Sequence, residues 1–168
     1  MTIRRATAAD AAWIAPIYAA TISALDVRRG APPRPPPAEP DVLTILATPL
    51  SQSWVNDVQH YWCHLDHWLD GPIGEAIQVS YLLPGAGQRT STRLGLLRLL
   101  ARALLAMDAT LPPLPAKNLP LYANLDEDIA FAHWKTIFTG ATVTPYGGGR
   151  GGRITWPRDR VMARARLV

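Results

Sequence analysis

The sequence predicts an α/β (α+β) fold: one mixed central sheet with helices on both faces. Two observations carry that reading. Strand-like stretches recur between stretches of helical periodicity, in the order strand, helix, irregular insert, helix, strand, helix, strand, helix, strand. A continuously apolar run, EAIQVSYLLP at 75–84, has the character of a buried strand, and a long leucine-rich helix follows it through a glycine- and hydroxyl-rich bend. The chain has 168 residues, of which 48% are hydrophobic, so a single domain over 1–168 can bury its own core.

Each element has its own signal. Residues 2–6 (TIRRA) alternate and predict a short strand. Thr7 and Asp10 are candidate N-caps of a helix over about 8–24, in which Trp13, Ile14, Ile17, Tyr18 and Ile22 recur at helical spacing. Pro16 within that pattern predicts a kink or a late start. Residues 28–40 (RRGAPPRPPPAEP) hold six of the sixteen prolines, which excludes a regular helix or central strand and predicts a polyproline II arm or spacer. Residues 41–48 read as a strand or as a short helix. A helix is expected over 53–69, because Trp54, Val58, Tyr61, Trp62, Leu65, Trp68 and Leu69 fall on one side of it, and Gly71-Pro72 stops it. After the 75–84 strand come a helix over 92–107, a proline-rich loop over 108–120 and a strand over 119–125. A helix from Asp126 to near Gly140 and two short strands at 141–147 and 152–157, around a glycine-rich turn, complete the chain. Residues 147–168 read as a glycine- and arginine-rich C-terminal tail.

Composition narrows the setting. No apolar run approaches the ~20 residues of a membrane span, and residues 1–10 lack the apolar core of a signal peptide. A soluble chain without a membrane partner, cytoplasmic or carried in a virion, is expected. The single cysteine, Cys63, excludes an internal disulfide. The net charge is +4, and six arginines (150, 153, 158, 160, 164 and 166) crowd the C-terminal end. They attract an anionic partner or serve as a solvated tail. On the expected 53–69 helix, His60, His64 and His67 share one face with Cys63 to the side. That spacing can hold zinc, but no carboxylate completes a catalytic set and four structural ligands are not assembled, so no metal is expected. A solvated helix face or a subunit contact accounts for the stripe.

The bend itself, PGAGQRTSTRLGLLRLLARALLAM at 84–107, points to function. A helix N-terminus offers unpaired N–H groups and a partial positive charge to phosphate oxygens. Gln88, Arg89, Thr90, Ser91, Thr92 and Arg93 can add contacts, or a hydroxyl at 90–92 simply caps the helix. Three stretches, TIRRATAADAAWIAPIYAATI, the strand–bend–helix at 77–107, and LPLYANL with the following A---W and TGA, resemble the GCN5-related N-acetyltransferase (GNAT) superfamily. The resemblance spans most of the chain outside 28–72. It implies a GNAT-like sheet and acetyl-CoA as cofactor, with the diphosphate at Gln88–Arg93 and the pantetheine arm beside Val79 and Tyr81. A backbone N–H near Val79–Leu82 would polarise the thioester, and the acceptor would be an amine.

The chain departs from that family's pattern in three places. Its loop lacks the later glycines. The position of the family's thiolate-protonating tyrosine falls on Trp134 and that of its asparagine on Glu127, with Tyr122 or Tyr146 as substitutes. The proline arm and tryptophan-rich helix stand where the family has its second and third strands. The resemblance is therefore to a degenerate member with catalytic residues unassigned. Two functions follow: an acyl-CoA-dependent N-acyltransferase, or a structural or assembly module on the same fold, as in a phage particle. The module would be a homo-oligomer or protein assembly in contact through Trp54, Trp62, Trp68 and the proline arm. The sequence favours the second.

Overall fold

The computed structural model describes residues 3–32, 34–84, 92–110, 119–125, 141–146 and 151–166. Among these residues seven strands form one sheet: β1 (Ile3–Arg5), β2 (Ser51–Asn56), β3 (Tyr61–Gly71), β4 (Gly74–Leu83), β5 (Leu121–Leu125), β6 (Thr142–Pro145) and β7 (Gly152–Trp156). Their order is β1-β2-β3-β4-β5-β7-β6, antiparallel throughout except for the central β4–β5 pair, which is parallel. On one face α1 (Ala11–Arg29) and α2 (Glu39–Leu46) pack Ala11, Ile14, Ala15 and Val42 against Val55 and Trp62. On the other, α3 (Thr92–Thr110) and α4 (Arg158–Arg166) close a larger core of Leu96, Leu99, Leu100, Leu104, Met107 and Val161 over Tyr61, Cys63, Leu65, Ile77, Leu121 and Ile154. The mixed sheet with helices on both faces is the architecture the alternation of elements predicts.

The segment 53–69 is a β-hairpin, not a helix. Asn56 decides it. Its Oδ1 accepts the backbone N–H groups of Val58 (3.1 Å) and Gln59 (3.2 Å), closing an Asx turn. His60 takes a left-handed φ of 50°, which histidine tolerates better than most residues. β3 is covered on both faces: Tyr61, Cys63 and Leu65 enter the α3 core while Trp62 enters the α1 core. A strand buried on both sides loses the polar–apolar alternation that identifies strands, and its run of large residues mimics a helical stripe. The second and third strands are therefore present rather than replaced.

Other boundaries move for local reasons. α1 runs on to Arg29 and ends at Gly30, whose φ of 63° suits a left-handed C-cap that bonds back to Asp26 and Val27. This shortens the proline arm, and Arg34 ties it to α1 by two bonds to Asp26, at 2.6 and 3.0 Å. The ambiguous 41–48 stretch is mostly helix: Pro40 lies in the first turn of α2, and Asp41 Oδ2 accepts the Ala38 N–H at 2.7 Å. The basic end is not a tail. β7 pairs along all of β5 and along β6, and α4 docks on α3 with the Arg158 guanidinium donating to the Leu104 carbonyl at 3.2 Å. The stretch Ala8–Arg29 is long and apolar enough to cross a membrane by length and composition, but its first turns pack on the sheet. The expected 126–140 helix lies outside the described residues.

Gly95 fixes how close α3 comes to β3. A Cβ there would stand 2.3 Å from the Tyr61 ring, which is fully buried and cannot swing away. Gly95→Ala is therefore expected to destabilise the fold by about 1–2 kcal/mol, the overpacking cost exceeding alanine's helix preference. Urea denaturation reads the difference as a lower midpoint at unchanged slope.

Candidate active site

The sheet opens at its centre. Along β3 and β4, His64 pairs with Tyr81 and Leu65 with Val79, so Ser80 is an extra residue that bulges β4. The bulge reverses the alternation of side chains. Val79 and Leu82, three residues apart, both enter the α3 core, while Tyr81 and Leu83 pack on the α1 side. The β4–β5 ladder holds at Ile77–Leu121 and Gln78–Tyr122, with the Ile77 N–H donating to the Pro120 carbonyl at 3.0 Å. Beyond that point β5 continues to Leu125 paired with β7, and β4 continues to Leu83 paired with β3. The two parallel strands thus part beside the bulge. Among the described residues, the far end of β4 faces no strand on its β5 side.

Register gathers polar side chains next to this opening. Ser51, Asp66, Gln78 and Tyr122 lie in one cross-strand row, and Ser53, His64 and Tyr81 in the next. Ser53, His64 and Asp66 of these rows, with Trp62 and Ser80, form a chain of hydrogen bonds. The Trp62 indole N–H donates to Ser53 Oγ (3.2 Å), and Ser53 Oγ lies 2.7 Å from His64 Nδ1. His64 Nε2 is 3.2 Å from Asp66 Oδ1, and the Ser80 hydroxyl donates to Asp66 Oδ2. A neutral imidazole with its proton on Nε2 satisfies every bond.

Burial pushes the Asp66 carboxyl up. The bonds from His64, Ser80 and Ser51, together with the nearby imidazole, outweigh that and hold it below the usual carboxylate range. The Tyr81 hydroxyl lies 3.2 Å from that of Tyr18 on α1. Burial, that bond and the Asp66 charge raise the Tyr81 phenol well above its ordinary value. Tyr122 donates to Gln78 Oε1 at 2.9 Å and carries the Arg153 guanidinium 5.8 Å from its ring centroid. Burial raises the Tyr122 phenol despite that cation.

The residues expected to bind a cofactor fall into three groups. Gln88, Arg89, Thr90 and Ser91 lie outside the described residues. Thr92 and Arg93 open α3, the element that follows β4. Val79 contributes its side chain to the core, so only its backbone borders the opening, while the Tyr81 side chain turns towards α1. Trp134 and Glu127 lie outside the described residues, and Tyr146 follows β6, where its N–H donates to the Gly151 carbonyl at 3.3 Å.

The histidines do not share a face. His60 sits in the β2–β3 turn with its ring 5.2 Å from Trp13, His64 joins the polar chain, and His67 bonds Glu75 Oε1 at 2.9 Å. Cys63 is buried, and burial pushes its thiol up. Among the described residues no three histidine, cysteine or acidic side chains come together as a metal site. Of the tryptophans expected at an interface, Trp62 is fully buried, Trp54 partly, and Trp68 is exposed. The Ser53–His64–Asp66–Ser80 chain escapes sequence reasoning because it needs β3 to be a strand; the i, i+2 spacing of His64 and Asp66 is its visible sign.

A seven-stranded mixed sheet, parted between its parallel strands beside a bulged β4 that leads towards a long helix, is the fold of the GCN5-related N-acetyltransferases. Solved structures agree in fold. An acetyltransferase from Thermus thermophilus superposes with a TM-score of 0.57 at 19% identity, over 94% of this chain and 97% of its own. The yncA protein of Salmonella typhimurium, solved with acetyl-CoA, does so with 0.58 at 18% identity, over 92% and 90%. A GNAT phosphinothricin acetyltransferase from Sinorhizobium meliloti, also in complex with acetyl-CoA, gives 0.57 at 14% identity, over 93% and 87%. No family model matches the chain, and no curated protein does. The chain is acetyltransferase-like in fold, and acetyl-CoA is a ligand that fold accommodates.

Proposed function

We propose that the protein is an acyl-CoA-dependent N-acyltransferase that moves an acetyl group to an amine. The observation that carries this reading is the parting of β4 and β5 beside the Ser80 bulge. It leaves backbone on β4 free to meet an extended ligand, as a strand edge does. Acetyl-CoA, when bound, supplies the acyl thioester. Its diphosphate would meet the N-terminus of α3 and the residues from Gln88 to Arg93 before it, where unpaired N–H groups and the helix dipole favour an anion. Backbone N–H groups of Val79–Leu82 would donate to the thioester oxygen as negative charge gathers there.

The acceptor enters from the α1 side. An ammonium loses one proton to solvent, and the free amine nitrogen then attacks the thioester carbon. A C–N bond forms and the C–S bond breaks. The nitrogen sheds its second proton, and the departing sulfur takes one up. The balance is one amide, one thiol and one proton released. Among the described residues, a structural module in a particle draws support only from exposed apolar side chains such as Trp68 and its neighbour Leu69.

The test is a thermal shift with acetyl-CoA. At a ligand concentration near a hundredfold Kd, stabilisation of about 2.7 kcal/mol is expected, read as a rise of several degrees in Tm. No rise at ~1 mM acetyl-CoA would remove the reading.

A further inference from the structure

We propose that Asp66 selects the acceptor: its carboxylate docks a positively charged group of the amine substrate at the mouth beside the Ser80 bulge. This rests on the acyltransferase reading and names the substrate class of that site, cationic amines such as alkyl diamines.

Four observations support it. First, the position. Asp66 pairs across the ladder with Gln78, the last β4 residue in register with β5, and bonds Ser80, the bulged residue itself. Second, the access. The Asp66 side chain keeps 21% of its surface open while its partner His64 keeps 4%. The chain of bonds therefore runs from a sealed interior to a carboxylate that reaches the surface. Third, the charge. His64 Nε2, at 3.2 Å from Oδ1, and the Ser80 hydroxyl on Oδ2 hold the Asp66 carboxyl ionised against its burial. A partly buried carboxylate in that state is stabilised further by a ligand cation. Fourth, the surroundings. Tyr81 and Tyr18 present neutral hydroxyls and rings on the α1 side, and aromatic faces favour a cation. Arg153, the arginine beside Tyr122, is turned to Asn124 Oδ1 at 3.1 Å and to the Tyr122 ring.

The carboxylate acts as a docking group and not as the base. The bonds that keep it ionised also make it a weak proton acceptor.

Calorimetry with 1,4-diaminobutane and its uncharged isostere 1,4-butanediol tests the docking without turnover. Wild-type protein is expected to bind the diamine at least about tenfold more tightly, with the preference lost in Asp66→Asn and kept in Asp66→Glu. Equal binding of the two probes by wild type overturns the proposal, and that arm requires no variant to fold.

In turnover with acetyl-CoA, Asp66→Asn is expected to raise KM for the diamine about tenfold or more while leaving KM for 4-methylaniline, uncharged at neutral pH, within about twofold. A loss shared equally by both acceptors assigns Asp66 to the architecture of the bulge and overturns the proposal. Diamine binding that depends on Asp66 in a protein that acetyl-CoA fails to stabilise sustains the cation site and removes the acyltransferase reading instead.

Discussion

Trp62→Ala is expected to cost about 3–5 kcal/mol of folding stability, the range for removing a large aromatic side chain from a packed interior. Trp62 is completely buried between α1 and the sheet. Its ring stacks on Tyr81 with centroids 5.0 Å apart and planes 16° apart, and Tyr18 meets it edge-on at 5.9 Å. Truncation leaves a cavity that Ile14, Val42 and Val55, held on separate elements, cannot close together. It also takes away the indole donor at Ser53 Oγ, loosening the first bond of the chain that ends on Asp66. Trp62→Phe keeps most of the stack and loses that donor, so about 1–2 kcal/mol is expected. Urea denaturation of the two variants checks both figures. A surface tryptophan reserved for a partner would behave differently: its removal would shift stability by under ~0.5 kcal/mol and change the oligomeric state. A small stability change in Trp62→Ala with dissociation of an assembly would refute the burial of this ring between α1 and the sheet.

That same residue shows where the sequence is legible and where it is not. The apolar strand β4, the helix α3 after it, and β5 with β7 announce themselves through unbroken apolar runs or clean alternation, and their bounds fall within a few residues of expectation. β2 and β3 do not. Trp54, Val58, Tyr61, Trp62 and Leu65 satisfy a helical stripe by coincidence, because β3 is lined with large residues on both faces. The turn that breaks the stripe depends on an asparagine side chain bonding its own backbone. A helix over 53–69 would put His64 and His67 on one face, although on a strand they point to opposite sides. Asp66 is hidden for the same reason: only strand pairing sets it against Ser51 and Gln78. The bulge at Ser80 has no sequence signature at all, since it carries neither glycine nor proline and arises from register. The N-terminal TxxD pattern, by contrast, is legible as a helix cap but not as an ion-pair centre.

Asp10→Ala is expected to lose about 2–3 kcal/mol, because one buried carboxylate there satisfies four donor groups. Arg4 grips it through two parallel bonds of 2.8 Å, the Thr7 N–H and hydroxyl donate to Oδ2 at 2.8 and 3.0 Å, and the Trp13 indole donates to Oδ1 at 3.1 Å. Asp10 is 4% exposed, so no water replaces it readily. Arg4 is more exposed and keeps Asp57 at 2.8 Å, which holds the loss below that of a fully buried pair. The Arg4 guanidinium, above all, holds the Asp10 carboxyl far below its ordinary value; burial opposes this, and the Thr7 and Trp13 bonds add to it. The sign of the pH dependence follows. A carboxyl whose folded pKa lies below its unfolded value of about 3.9 contributes its full stabilisation above that value and loses it as pH falls towards the folded one. Wild-type stability should therefore drop between about pH 4 and the acid limit with a contribution that Asp10→Ala lacks. Across denaturation midpoints taken from pH 7 down to pH 3, the gap between the two proteins should narrow below about pH 4. A gap that stays constant over that range would mean that the carboxylate titrates normally and that the Arg4 pair does not hold β1 to the start of α1.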